Sequence, residues 1–146
     1  MRKTFAALVF LVAAAAAATP AAAHDAPFTP LADEAARITT IFDRTLPNVP
    51  GKSLRAVLVE YGPGGGSRAH THAPSAFIFV TVIEGDVRSQ VAGEEARVYK
   101  AGDTFIELPG SHHLVSANAS ETAPSKHLAV FVVDTDDTVL TTPDAE

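Results

Sequence analysis

Residues 62–72 read GPGGGSRAHTH, and residues 102–118 read GDTFIELPGSHHLVSAN. The first stretch ends in two histidines one residue apart. On an extended strand, residues i and i+2 face the same side, so His70 and His72 present two imidazoles together if 68–73 is extended. The glycines before them permit tight turns and close backbone approach. The second stretch has a Pro-Gly turn followed by two histidines. Neighbours on a strand face opposite sides, so only one of His112 and His113 can join the first pair. Three predicted strands separate the two stretches, and a closed antiparallel barrel can bring such segments together. Three convergent imidazoles suit Zn, Cu, Fe, Mn or Ni.

Strand signals recur on both sides of these stretches. RITTIF (37–42) is β-branched, and LPNVPG (46–51) is rich in turn formers. Strand-like runs follow at 53–61, 76–85, 86–93, 96–103, 104–110, 112–120 and 127–134, with Gly, Pro, Asn or Asp between most of them. Short strands at regular spacing without an amphipathic helix predict an antiparallel all-β sandwich or barrel. Residues 76–85 contain a near-continuous apolar run, Phe77 to Val80 with Val82 and Ile83. Such a run reads as a strand buried on both faces, in the core and a dimer interface, or with Phe77 or Phe79 lining a ligand cavity.

The chain has 146 residues, room for one domain and a targeting segment. Arg2 and Lys3, the apolar run 5–18 and Ala21-Ala22-Ala23 form a secretory signal peptide over 1–23, with cleavage expected after Ala23. The protein is therefore expected to be periplasmic or secreted, with no membrane association after cleavage. The mature chain would begin at His24, whose amine and imidazole together can chelate copper, although an accident of the processing site explains it as well. Removing the two basic residues takes the formal charge from −6 to −8. An acidic chain without a basic run argues against nucleic acid or an anionic membrane as partner. Without cysteine there is no disulfide and no thiolate ligand, so a metal must be held by His, Asp or Glu. The domain plan is an N-terminal arm and first strand at 24–51, a barrel at 52–134, and a loosely held polar tail at 135–146.

Gly64 to Gly85 resembles the first motif of the cupin superfamily, a glycine, then HxH, then a strand ending in glycine; Gly64, His70 and His72 fall on it. Gly102 to Asn118 resembles the second motif, in which Gly102, Gly110 and His113 fall on the pattern and Asn118 comes one residue late. The resemblance covers roughly residues 52–133. It implies a double-stranded β-helix, a jelly-roll barrel, and one divalent metal (Fe, Mn, Ni, Cu or Zn) on His70, His72 and His113. It also implies a homodimer. Two features depart from the pattern. The first motif carries a glutamate soon after HxH, but 73–78 (APSAFI) has no acid, and the proline of the PxG turn is Leu108, with Pro109 next.

Glu107 is a candidate to replace the missing glutamate. It shares a face with Phe105, and a buried carboxylate demands a partner that a metal or an imidazolium supplies. The other reading leaves Glu107 at the barrel rim in water, or paired with Arg68 or Arg88. His112 is expected outward, His127 as a structural residue at the start of a strand, and Asn118 in a turn. The expectation is an exported metal-binding cupin that takes a small-molecule ligand or substrate. It would be a dioxygenase or isomerase-like enzyme with Glu107 as ligand or base. The alternative is a non-catalytic periplasmic module that binds or senses a small ligand or metal.

Overall fold

The computed structural model describes residues 36–145, which leaves the leader and most of the arm outside the described residues. Among the described residues, eleven strands make up the regular structure: β1 (Ala36–Thr45), β2 (Lys52–Tyr61), β3 (Gly66–Ser67), β4 (His70–His72), β5 (Phe77–Glu84), β6 (Asp86–Val91), β7 (Arg97–Lys100), β8 (Thr104–Glu107), β9 (His112–Asn118), β10 (Ser125–Asp134) and β11 (Thr141–Pro143). One sheet has the order β1-β2-β10-β5-β8. The other has the order β11-β4-β9-β6-β7, with β3 also on β9. Every pairing is antiparallel. The expected all-β double-stranded β-helix is therefore the observed fold.

The chain changes sheet at turns where glycine is required. Gly85, between β5 and β6, has φ +67, and a Cβ there would lie 2.4 Å from the Pro124 carbonyl oxygen. Only a residue without a side chain fits. Gly66 has ordinary φ, but a Cβ would meet the Ser116 carbonyl oxygen at 2.9 Å, so glycine lets β3 lie against β9.

The two inner faces differ in chemistry. From the first sheet Val57, Val59, Ile78, Val80, Phe131 and Val133 form the apolar core. The second sheet turns Ser89, Ser116, His72 and His113 inward, all buried. The interior thus has one apolar side and one polar side.

Two expectations change here. Phe77 and Phe79 face outward, 40% and 42% exposed, while Ile78, Val80 and Val82 point in. A continuous apolar run leaves the phase of the strand open, and the β10 and β8 registers decide it. The tail is not a loose extension throughout: Thr141 to Pro143 pair with β4 as an edge strand. Asp144 accepts a hydrogen bond from or ion-pairs with His112 Nε2 at 2.9 Å, and its amide bonds to the Ala69 carbonyl.

Candidate metal centre

Strand β4 is short, but it does what the HxH spacing requires. Thr71 is exposed, while His70 and His72 turn the other way. His70 pairs in register with His113 of β9, and Thr71 with His112, so His113 joins the pair and His112 faces away. The ring centroids lie 4.8 Å apart for His70 and His72, 5.2 Å for His70 and His113, and 5.8 Å for His72 and His113. One ligand atom from each falls within 4.8 Å of the other two.

Glu107 comes from the opposite sheet. It ends β8, opposite Ile78 on β5. The Pro109-Gly110 turn then carries the chain over to β9, with Ser111 N bonded to the Leu108 carbonyl and His72 N to the Ser111 carbonyl. That turn sets Glu107 beside the histidines. Its Oε2 lies 2.5 Å from His72 Nε2 and 3.2 Å from His113 Nδ1. Glu107 is 4% exposed, so it is not in water at the rim, and its contacts are with His72 and His113.

Supporting contacts orient two of the imidazoles. His70 Nδ1 lies 2.7 Å from the Arg68 carbonyl, which accepts a hydrogen bond from Nδ1–H and leaves the Nε2 lone pair free. His113 Nε2 lies 2.9 Å from Ser89 Oγ. A proton on that nitrogen would free the Nδ1 lone pair for a metal, whereas a proton on Nδ1 would face Glu107. Backbone and hydroxyl partners of this kind set the tautomer of metal-binding histidines. In His72 both ring nitrogens are buried without a hydrogen bond, and so is Glu107 Oε2. Their close contact lacks hydrogen-bond geometry. Buried polar atoms left in this state call for a partner. A cation that accepts lone pairs from nitrogen and oxygen donors would satisfy them, and the set fits Zn, Fe, Mn, Ni or Cu.

Burial alone would raise the Glu107 pKa. Its close contacts with His113 and His72, and their charge, outweigh that and hold the carboxyl well below the usual carboxylate range. His70 is lowered to about 4, chiefly by desolvation and then by repulsion from its neighbouring imidazoles, against the Arg68 hydrogen bond.

The cluster opens on a cavity of about 460 Å³. Val57, Val59, Val80, Ala129 and Phe131 line its apolar side, and Glu107 is the one carboxylate among the described residues lining it. Tyr61, Ser116 and His127 also line the cavity, and no sequence motif marks them as site residues. Tyr61 shares hydrogen bonds with Ser67 Oγ and Ser116 Oγ, each 2.8 Å. His127 alternates with Ala129, Phe131 and Val133 along β10, all buried. Residues 128–133 are apolar at every position, so the sequence leaves that phase open.

A cupin-domain profile matches residues 57–131, just over half of the chain, and the chain belongs to the cupin family. An uncharacterised conserved protein with a double-stranded β-helix domain from Klebsiella pneumoniae has a TM-score of 0.59 at 19% identity, covering 79% of this chain and 91% of that one. DMSP lyase DddQ from Ruegeria pomeroyi has a TM-score of 0.58 at 20% identity, covering 77% and 54%. Oxalate oxidase in complex with the substrate analogue glycolate has a TM-score of 0.54 at 21% identity, covering 75% and 53%. The chain spans about half the length of those two enzymes. At these identities the likeness establishes the fold. No curated protein matches the chain significantly.

The pKa shifts set a pH response. His70 and His127 are both lowered from 6.5 to about 4, mainly by burial. The unfolded chain then binds protons that the folded chain refuses, so their contribution is intact above pH 6.5 and is lost as pH falls toward 4. In the metal-free protein the urea midpoint is expected to be flat above about pH 6.5 and to fall between about 6.5 and 4. His127→Leu should make that fall shallower. A midpoint independent of pH across the window would contradict the assignment.

Proposed function

We propose that this chain is an exported cupin that uses one divalent transition metal to act on a small organic molecule. His70, His72 and His113 hold the metal in this reading, and Glu107 completes the donor set in place of the glutamate missing from 73–78. The supporting observation is the buried contact of Glu107 Oε2 with His72 Nε2, without a hydrogen bond, beside His70 and His113. When bound, such a metal supplies Lewis acidity or dioxygen chemistry. The Arg68 carbonyl and Ser89 Oγ keep two imidazoles in their tautomers and orientations. The apolar side of the cavity excludes water and strengthens the electrostatics within. The neighbours named oxalate oxidase and DMSP lyase support a small-molecule substrate, and the dioxygenase or isomerase-type reaction is part of this proposal.

One observation favours a second reading, a non-catalytic periplasmic module that binds or senses a small ligand. Glu107 is the cavity's one carboxylate among the described residues. If it ligates the metal, it is not free to act as a base. Turnover of small enolizable or diol substrates separates the two readings.

Elemental analysis by mass spectrometry, on protein purified without chelator or affinity metal, tests the centre. About one Fe, Mn, Ni, Cu or Zn per chain is expected. His70→Ala and His113→Ala should each abolish tight binding while the barrel still folds. Glu107→Gln should weaken binding by about 10–100-fold, a smaller loss. Full metal content in both histidine variants would overturn the reading.

Export rests on residues 1–23, which lie outside the described residues. N-terminal sequencing of the periplasmic protein should begin at His24, and an uncleaved chain held in the membrane would sink the idea.

We also infer a homodimer through the outer face of the first sheet. Phe42, Ala56, Val130, Phe79 and Ile106 stand in register across all five strands. Phe42, Phe79 and Ile106 are exposed. Apolar faces of this kind mark association sites. Sedimentation should give twice the chain mass for the wild type and the single mass for Phe79→Glu; a wild-type monomer at micromolar concentration would refute the interface.

A further inference from the structure

His127 is a buried polar side chain that the proposed metal centre does not use. It is 5% exposed, lines the cavity, and has Nδ1 buried without a hydrogen bond. A buried polar group without a partner calls for an explanation. Tyr61 is its aromatic neighbour, with ring centroids 5.5 Å apart. The Tyr61 hydroxyl cannot serve as the partner, because Ser67 and Ser116 already engage it. Desolvation, then the charge of His113, lowers the His127 pKa to about 4, so the ring is neutral at physiological pH.

The position of His127 is informative. On β10 it lies four residues before Phe131, roughly 13 Å of strand rise. Phe131 lies beside the histidine cluster, its ring centroid 6.0 Å from that of His72. Val57, Val59, Val80 and Ala129 line the space. The cavity therefore carries two polar poles, the histidine cluster and His127, with apolar side chains lining the space around them.

We infer that the cavity takes a bifunctional ligand, with an oxygen group for the His70–His72–His113 cluster, an apolar body, and a neutral hydroxyl or carbonyl group that hydrogen-bonds to His127. The inference rests on the proposed metal centre for the first pole and on His127 for the second. The distal group is neutral because an uncharged imidazole does not offset the desolvation of an anion. His127 is thus a specificity residue. A site with a buried hydrogen-bonding group discriminates against analogues that lack the matching atom, because the group then stays unpaired.

The test uses the zinc-loaded protein and two probes, ω-hydroxyhexanoate and hexanoate, which differ in the distal hydroxyl. Calorimetric titration should show the hydroxylated probe binding about tenfold more tightly, a net hydrogen bond's worth. His127→Leu should lose the preference, and His127→Asn should keep part of it. Equal binding by the wild type, or a preference that survives in His127→Leu, overturns the inference. If His127→Leu does not fold, the histidine ¹⁵N spectrum of the wild type decides. The His127 signals should move with the hydroxylated probe and not with hexanoate, and unmoved signals overturn the inference. Zinc content of the same sample separates the two readings. Probes that fail to bind with zinc in place overturn the bifunctional ligand alone, whereas a protein that takes neither zinc nor probe overturns the metal centre as well.

Discussion

A carboxylate buried between two imidazoles is the constraint on which the site depends. Glu107 belongs to one sheet, and His72 and His113 to the other. Taking a carboxylate out of water costs several kcal/mol unless charge or hydrogen bonds compensate. The Pro109-Gly110 turn enforces the meeting, because it joins the end of β8 to the start of β9 across the gap between the sheets. Removing either partner would leave the other buried and uncompensated, a larger loss than the pair's own net contribution.

The difference between the two inner faces makes room for a ligand. Aliphatic and aromatic side chains from one sheet meet serines and histidines from the other. Short polar side chains cannot fill the space that an opposing apolar layer would fill, so a cavity remains next to the imidazoles. The polar groups around it are held by one another: Tyr61 by Ser67 and Ser116, His113 by Ser89, and His70 by a backbone carbonyl. Networks satisfied in this way are rigid, and rigid supports hold a donor set ready. The tail adds β11 along the edge of β4, pairing Thr141 with His72 and Pro143 with His70, so the strand that carries two histidines is not a free edge.

Much of this could be read from local pattern. Period-two alternation and frequent turn residues identified an all-β chain. The HxH spacing put His70 and His72 on one face without any knowledge of their neighbours. The same rule required a choice between His112 and His113, and the likeness to the second cupin motif pointed to His113, which the β4–β9 register sets opposite His70. Glu107 could be named from its alternation with Phe105 and the cost of burying an acid, but its partners could not, since they depend on a turn that crosses between sheets.

Where the pattern gave no phase, the reading failed. Phe77 to Val80 is apolar at every position, so nothing local says which side faces in, and pairing with β10 and β8 sends Phe77 and Phe79 outward. His127 reads along the chain as a structural residue at the start of a strand. Its place on the cavity depends on lying between β2 and β5, across from residues distant in sequence. The polar tail gave no strand signal because β11 pairs along a single edge and buries little. Backbone periodicity and side-chain chemistry belong to the chain and can be read along it: which residues are donors, which face they share, and where the chain turns. Which sheet each face meets, which buried acid finds which imidazole, and what remains as cavity follow from long-range pairing, because strands carry no local record of their partners.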